Sequence, residues 1–140
     1  MAEGCIFCNI KEGALVYRDD DGIVIFDDPV RAGHVLVGAR AHATNLHELT
    51  SDDAAGLFRL ANRVAKHVVS LTGASKVYLA AIGDKDKHFH LHLIPKADND
   101  PNLGPYVFGT NGWISFLPLT PDAEQVAAIR VELQNSLEAS

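Results

Sequence analysis

Apolar and polar residues alternate over residues 88–93, which read His-Phe-His-Leu-His-Leu. A period of two predicts a β-strand, in which alternate side chains share one face. His88, His90 and His92 then lie along one face, and the intervening apolar residues point into a core. At about 3.3 Å of rise per residue, neighbouring imidazoles stand about 7 Å apart. The pattern therefore predicts three histidines along a single strand face.

Shorter apolar runs elsewhere in the chain predict three further strands, at residues 23–26, 35–37 and 77–82. Two acidic residues and a proline at 27–29 predict a turn between the first two of these strands. Polar residues 83–87 predict another turn, which leads into the strand of histidines. The runs and turns together indicate a β-sheet that includes the histidine strand.

The apolar period changes to three and four residues between positions 50 and 71, which predicts a helix. Thr50 is suited to cap its N-terminus with Asp53 in the first turn, and Gly73 is suited to end it. Its predicted apolar stripe consists of Leu57, Leu60, Ala61, Val64 and Val68. One face of this helix is therefore expected to pack on the core.

A second helix is predicted at the C-terminal end of the chain. Residues 97–112 are rich in Asn, Asp, Pro and Gly, which predicts a long loop before it. Thr120 and Pro121 are suited to begin the helix. Its predicted apolar stripe consists of Val126, Ile129 and Leu133.

Length and composition predict one domain over residues 1–140. The net charge of −6 argues against binding a nucleic acid polymer, because no stripe of lysine and arginine is present to contact phosphates. No apolar run reaches the length of a membrane-spanning helix, and the N-terminus lacks the pattern of a secretion signal. A cytoplasmic protein without membrane contact is therefore expected.

Cys5 and Cys8 form a Cys-x-x-Cys pair, which alone is a weak signal. A redox pair of the thioredoxin kind would follow a strand, yet only four residues precede Cys5. Zinc binding is the better interpretation, and it needs two more ligands. Candidates are His34, His42, His47, His67 and one end of the histidine row. Two unliganded thiols without a metal remain the alternative.

Three segments of the chain resemble the histidine triad (HIT) family of nucleotidyl hydrolases and transferases. They are CIFCNI at 5–10, GHVLVGARAH at 33–42 and HFHLHLIPK at 88–96. The resemblance covers residues 4–96, and its specific mark is the His-x-His-x-His motif with apolar residues between. It implies an α+β fold in which a long helix packs on an antiparallel sheet, with residues 97–140 adding a loop and a C-terminal helix. It also implies a homodimer.

The resemblance implies a structural zinc ion. In members that bear zinc, the ligands are the Cys-x-x-Cys pair, a histidine just after the Gly-His-x-Leu-Val strand and the first histidine of the triad. Carried over to this sequence, the ligands are Cys5, Cys8, His42 and His88. His47 lies five residues beyond His42 and is the fallback ligand.

The resemblance also implies catalytic roles. His90, the middle histidine of the triad, is the expected nucleophile toward the α-phosphorus of a nucleotide. Its other ring nitrogen is expected to donate to a backbone carbonyl, which fixes the tautomer. His34 and His92 are expected to contact the phosphate and the leaving group, where hydrogen-bond donors stabilise developing charge.

For the nucleotide, the resemblance places the ribose hydroxyls against Asp27 or Asp28, and the spacing to His34 leaves the choice open. Phe26, Phe7 and Ile6 are candidates for walls around the base, although each could equally belong to the core. The turn at 83–87 is shorter than in many members and lacks their Gln and Ser. Its two lysines, Lys85 and Lys87, either meet phosphates or belong to an ordinary solvated turn.

Two other functions stay open on the sequence. The histidine row could hold a catalytic metal in a metal-dependent hydrolase. Alternatively, the chain could be a module that binds nucleotides without turnover. The substrate itself, whether a phosphoramidate, an adenylate or a dinucleoside polyphosphate, is not decided by the sequence.

Overall fold

The computed structural model describes residues 4–107 and 121–140. Its strands are β1 Leu15–Arg18, β2 Gly22–Ile25, β3 Val35–Ala39, β4 Lys76–Ala80 and β5 His90–Lys96. Its helices are α1 Ser51–Thr72 and α2 Ala123–Ala139, with short 3-10 helices at Leu46–Glu48 and Gly104–Val107. The prediction of a loop over 97–112 holds for its first residues, and 108–112 lie outside the described residues.

The five strands form one antiparallel sheet in the order β1-β2-β3-β5-β4. The α+β class and the antiparallel sheet are thereby confirmed. Strand β1 was not predicted, because its four residues are too few to show a period and only Val16 among them is buried. In the centre of the sheet, β3 and β5 pair with Leu36 opposite His92 and Gly38 opposite His90.

Helix α1 confirms the prediction for residues 50–71. The side chain of Thr50 accepts a hydrogen bond of 3.1 Å from the backbone N–H of Asp53, which satisfies one donor of the first turn. Gly73 ends the helix with a φ of 71°, a left-handed conformation that favours glycine. All five residues of the predicted stripe are buried, and they cover the face of the sheet that carries Val35, Val37, Leu91 and Leu93.

The N-terminal segment covers part of the opposite face of the sheet. Phe7 is buried there in a cluster with Ile23, Ile25 and Leu36. Its ring lies so close to Gly38 that a Cβ atom at that position would be 2.4 Å from it. A glycine inside a strand permits this approach, and the segment with the two cysteines is thereby held against β3 and β5.

Helix α2 begins at Ala123, where the side chain of Asp122 accepts hydrogen bonds from two backbone N–H groups. The expected start at Pro121 is thus two residues early, and Thr120 lies outside the described residues. Of the predicted stripe, Leu133 is fully buried, whereas Val126 and Ile129 are half-buried. The second buried anchor is Leu137, so the C-terminal half of α2 packs most tightly. Neither described helix is long and apolar enough to cross a membrane.

Candidate active site and metal site

The three triad histidines lie at and just before the start of β5, on the face opposite α1. His90 and His92 belong to the strand, and His88 precedes it. The rings of His90 and His92 have centroids 5.0 Å apart, and the ring of Phe7 lies 5.3 Å from that of His90. His88 and His90 are buried, while His92 is half-buried. The structure therefore brings the three side chains into one continuous group.

The orientation of His90 follows from one hydrogen bond. Its Nδ1 lies 2.6 Å from the carbonyl oxygen of His88. A carbonyl oxygen accepts only, so Nδ1 must carry the proton and donate it. In the neutral ring, Nε2 is then unprotonated and holds a lone pair. This is the tautomer in which an imidazole can act as a nucleophile through Nε2.

His34 and His92 are joined in a defined direction. The backbone N–H of Val30 donates to Nδ1 of His34 at 2.9 Å, so this nitrogen is an acceptor. Nε2 of His34 therefore carries the proton and donates to Nδ1 of His92 at 3.0 Å. His92 in turn carries its proton on Nε2. The donors run from Val30 through His34 to His92.

Both of these histidines are strongly biased toward the neutral form. Burial lowers the pKa of His34 to about 4. Burial, followed by the charges of His34 and His90, lowers the pKa of His92 to about 3. Near neutral pH each ring has one donor and one acceptor, as the hydrogen bonds require.

Four potential metal ligands converge beside the first triad histidine. Cys5, Cys8, His42 and His88 each offer one ligand atom, and these atoms all lie within 4.8 Å of one another. The Sγ of Cys5 lies 3.5 Å from Nδ1 of His88, and the Sγ of Cys8 lies 3.4 Å from Nδ1 of His42. The Nδ1 atoms of His42 and His88 are 3.1 Å apart.

This geometry fits zinc. A tetrahedron with Zn–S near 2.3 Å and Zn–N near 2.0–2.1 Å has edges of roughly 3.3 to 3.8 Å. The separations between the ligand atoms named above are close to these edges. Nε2 of His88 also lies 2.6 Å from the carbonyl oxygen of Ala39, to which it donates, so Nδ1 is the unprotonated nitrogen that faces the cysteines. The two thiols and two imidazoles thus form a donor set that suits one zinc ion.

The other proposed histidine ligands lie elsewhere. His47 is exposed in the 3-10 helix Leu46–Glu48, outside the cluster of four. His67 on α1 lies 3.4 Å from the hydroxyl of Ser140 at the C-terminus. His34 is paired with His92. Among the described residues, the four side chains that converge are those that the resemblance implied as ligands.

The acidic turn before β3 has one unusual backbone conformation. Asp28 has a φ of 45°, in the left-handed region that non-glycine residues seldom adopt. Burial raises the pKa of Asp27, and the charges of Asp28 and Asp86 raise it further. The nearby Lys11 and His90 act in the opposite direction. Asp27 is therefore within electrostatic reach of the nucleophile candidate.

The candidates for the base and the phosphates are placed as follows. Phe7 contacts the rings of His88 and His90, with centroids 5.0 and 5.3 Å away. Ile6 is partly buried and packs against the cluster that contains Phe7. Phe26 is buried in the cluster under α1, on the opposite face of the sheet from the histidines. Lys85 and Lys87 are exposed, as in an ordinary solvated turn.

Several groups that shape the site were not found from the sequence. Val30 and Ala39 act through backbone atoms, which no side-chain pattern reveals. Arg31 and Asp100 form an ion pair between loops 69 residues apart. Gly38 offered a signal, since a glycine inside a strand often marks a close approach.

A cavity of about 680 Å³ lies between the end of α1 and the first half of α2, with Leu71, Pro95 and Ile129 among its walls. The histidines do not line it. This cavity is therefore separate from the group of imidazoles.

Comparison with known proteins identifies the family. The HIT domain profile matches residues 10–99, so the chain belongs to the histidine triad family. An adenosine 5′-monophosphoramidase of Schizosaccharomyces pombe is 28% identical over 143 aligned positions, which cover 95% of this chain and 98% of that protein. The family therefore includes enzymes that act on nucleotides.

Solved structures agree with this assignment. A hypothetical histidine triad nucleotide-binding protein of Sulfolobus tokodaii has a TM-score of 0.72 and 28% identity, covering 96% of this chain and 93% of that one. A Zn-bound histidine triad family protein of Mycobacterium smegmatis shares the fold, with a TM-score of 0.70 and 23% identity over 98% of each chain.

Proposed function

We propose that this protein is a nucleotidyl hydrolase or transferase that cleaves its substrate at the α-phosphate through a covalent intermediate on His90. The observation that carries this proposal is the 2.6 Å hydrogen bond from Nδ1 of His90 to the carbonyl oxygen of His88. In the neutral ring it leaves Nε2 unprotonated, on a buried side chain at the centre of the triad, and such a nitrogen can attack phosphorus.

The proposed reaction has two displacements. In the first, the lone pair on Nε2 of His90 forms a bond to the α-phosphorus, and the bond from phosphorus to the leaving group breaks. The leaving group takes the electron pair, and a leaving amine also takes a proton from the surrounding water, which the second displacement returns. In the second, water attacks the same phosphorus, the P–N bond breaks, and the water gives up a proton. The nucleoside monophosphate is released and the imidazole is restored.

His34 and His92 are proposed to serve the developing charge. The chain of donors from Val30 ends in a proton on Nε2 of His92. The low pKa values of both rings keep them neutral, so this proton is held as a hydrogen-bond donor. A fixed donor beside the phosphoryl oxygens or the leaving atom is more effective than water, which must reorganise.

Zinc at Cys5, Cys8, His42 and His88 is proposed to be structural. With four protein ligands the tetrahedron is closed and leaves no position for substrate. Bound there, the metal would hold the N-terminal segment and its Phe7 against the strand of histidines. His90 and His92 do not belong to the cluster of ligands, which supports nucleophilic catalysis over a catalytic metal on the histidine row.

The remaining nucleotide contacts are proposals of the same kind. Asp27 or Asp28 is proposed to accept hydrogen bonds from the ribose hydroxyls, because a carboxylate suits a vicinal diol. Phe7 and Ile6 are proposed to wall the base. The phosphoramidase relative favours a nucleoside phosphoramidate as the first substrate to test.

A homodimer is proposed on the exposed apolar side chains of β4 and α1. Strand β4 is an edge strand and exposes Leu79, which retains 50% of its accessible surface. Phe58 and Val69 on α1 are also exposed. A monomer by light scattering at micromolar concentration would contradict this assembly.

The test of the function is a substrate panel with release of nucleoside monophosphate as the readout. Adenosine phosphoramidate, an aminoacyl adenylate and a dinucleoside polyphosphate should be compared, each with wild type and His90→Ala. Turnover that depends on His90 supports the proposal. Nucleotide binding without turnover of any member would indicate a binding module. Activity that survives His90→Ala but is lost with a chelator would indicate a metal-dependent hydrolase.

A further inference from the structure

The pairing of β3 with β5 places the rings of His34 and His92, but it does not decide which nitrogen of each ring carries the proton. Leu36 lies opposite His92 in this pairing, and His34 precedes β3 directly. The N–H of Val30, a certain donor, lies 2.9 Å from Nδ1 of His34 and makes this nitrogen the acceptor of the ring. The state of both rings therefore depends on the position of one backbone N–H in the loop between β2 and β3.

Arg31, the next residue, ties this loop to the end of the histidine strand. Its Nη1 donates to the carbonyl oxygen of Pro95 at 2.9 Å and to Oδ2 of Asp100 at 2.6 Å. Its Nη2 lies 3.4 Å from Oδ1 of the same carboxylate. The side chains of Arg31 and Asp100 are only 23% and 12% exposed. A two-pronged and largely buried pair of this kind fixes geometry better than an exposed one.

Asp100 is itself held in place. Its Oδ2 accepts from the backbone N–H of Ala97 at 2.8 Å, in the turn that follows β5. Burial alone would raise the pKa of Asp100, but hydrogen bonds from Arg31 and Ala97, with the positive charges of Arg31 and Lys96, bring it below its usual value. The carboxylate therefore stays charged at neutral pH and remains a firm anchor for the guanidinium.

The loop is also constrained on its other side. The backbone N–H of His34 donates to the carbonyl oxygen of Arg31 at 3.1 Å, which closes a turn. Gly33 in this turn has a φ of 91°, and an added Cβ would lie 2.9 Å from the side chain of Thr72 on α1. The backbone between Val30 and His34 is thus pressed against α1 on one side and tied to β5 by Arg31 on the other.

We infer that Arg31 and Asp100 are a positioning pair, which holds the N–H of Val30 on Nδ1 of His34 and so sets the tautomers of His34 and His92. The pair touches no reacting atom and acts through the loop. Its value for catalysis rests on the proposed function, in which His92 is a donor to substrate. Its effect on the tautomers of His34 and His92 is independent of that function.

The direct test is the tautomer of each ring, read from ¹⁵N chemical shifts of the imidazoles in the full-length protein with zinc added and no substrate. In wild type, His34 and His92 should each show a single Nε2–H form. Arg31→Met keeps an unbranched, flexible side chain and removes the donors on Nη1 and Nη2, and it should give a mixture of tautomers at His34 and His92. Arg31→Lys, which can still reach Asp100 with one donor, should restore part of the wild-type pattern.

Arg59→Met is the matched control. Arg59 on α1 also pairs with an aspartate, Asp21, at 3.0 Å, and the two side chains are 63% and 27% exposed. Asp21 lies in the turn between β1 and β2, so this pair does not tie down the loop that carries Val30. Its loss should leave the imidazole spectrum unchanged. If Arg31→Met fails to fold, the imidazole spectrum of Asp100→Asn replaces it as the test. That variant keeps the volume of the side chain and weakens only its pairing with the guanidinium of Arg31.

Activity gives the second readout. Arg31→Met should lower kcat by roughly 10- to 100-fold with little change in KM, as for groups that orient a catalytic side chain without touching substrate. A folded Arg31→Met with wild-type tautomers at His34 and His92 would overturn the inference. Absence of turnover by wild type on every substrate would defeat the proposed function instead, and the spectra would still decide the role of the pair.

Discussion

Nδ1 of His90 lies 2.6 Å from the carbonyl oxygen of His88, two residues earlier in the same chain. The acceptor is a backbone atom, and its position depends on the entry of the chain into β5. Ala39 on β3 fixes the two residues that lead into β5. Its N–H donates to the carbonyl oxygen of Phe89, and its carbonyl oxygen accepts from Nε2 of His88. The tautomer of His90 is thus tied to the sheet.

Replacing His90 by alanine should cut turnover by several orders of magnitude while the fold and nucleotide binding stay nearly intact. No described neighbour can supply another nucleophile at the same position. Labelled nucleotide should be trapped covalently on wild type and not on His90→Ala. His67→Ala, at a histidine that contacts Ser140 far along the chain, is the control and should keep activity. More than about a tenth of wild-type turnover in His90→Ala would show that the nucleophile is another group.

Replacing His92 by alanine should have a smaller effect. If Nε2–H of His92 donates to the transition state, kcat should fall on the order of 10²- to 10³-fold, as for the loss of one donor to a developing oxyanion. The labelled intermediate should still form on this variant, only more slowly. A loss as large as that of His90→Ala, with no trapped nucleotide, would mean that His92 takes part in the covalent step.

Removal of one metal ligand should affect stability more than chemistry. Purified wild type should contain about one zinc per chain, and Cys8→Ser should lose the metal and melt at a lower temperature. His88→Ala should behave in the same way. His47→Ala, outside the cluster, is the control and should keep the metal. Wild type that purifies without metal and melts at the same temperature as Cys8→Ser would contradict the zinc site.

The buried imidazoles should make stability depend on pH. The pKa values of His34 and His92 are about 4 and about 3, below the ordinary value of 6.5. At a pH between the folded and the unfolded pKa values, the unfolded chain binds more protons than the folded one. The contribution of these two histidines to stability is therefore greatest above about pH 6.5 and falls as the pH decreases toward 4 and 3.

Comparison of wild type with His34→Gln isolates this dependence, because both proteins keep the same metal ligands. The wild type should be the more stable by urea unfolding at about pH 7.5, and its advantage should shrink at about pH 5, where only the unfolded state of the wild type gains a proton at this position. An advantage of the same size at both pH values would contradict the low pKa of His34.

The C-terminal helix should contribute to the stability of the whole domain. Leu133 is fully buried, whereas Val131, two residues earlier, is 52% exposed. Leu133→Ala should therefore cost about 2–5 kcal/mol of the free energy of unfolding through lost packing and a cavity. Val131→Ala should cost little. Equal effects of the two substitutions in urea unfolding would show that α2 packs differently, or lies outside the cooperative unit.

Local patterns predicted most elements of the fold. The cap at Thr50 and the stop at Gly73 set the bounds of α1 because both act through the nearest turn of backbone. Strand β1 was missed because four residues carry too little periodicity. The start of α2 was placed too early because Pro121 and Asp122 are both suited to a helix N-terminus, and the side chain of Asp122 makes the cap.

The sequence by itself determined that His90 and His92 share one strand face, since the period of a strand is a local property of the backbone. His88, predicted on the same face, lies just before the strand. The resemblance that these residues carry proposed the metal ligands, and the structure brings the same four side chains together. Only the tertiary structure decided where the protons of the imidazoles lie. The donors and acceptors that decide this are backbone groups of Val30, Ala39 and His88. Arg31 and Asp100, far apart in the chain, hold the first of these groups in place. A hydrogen bond between distant segments depends on how the chain closes, and the pattern of residue types along a sequence does not record it.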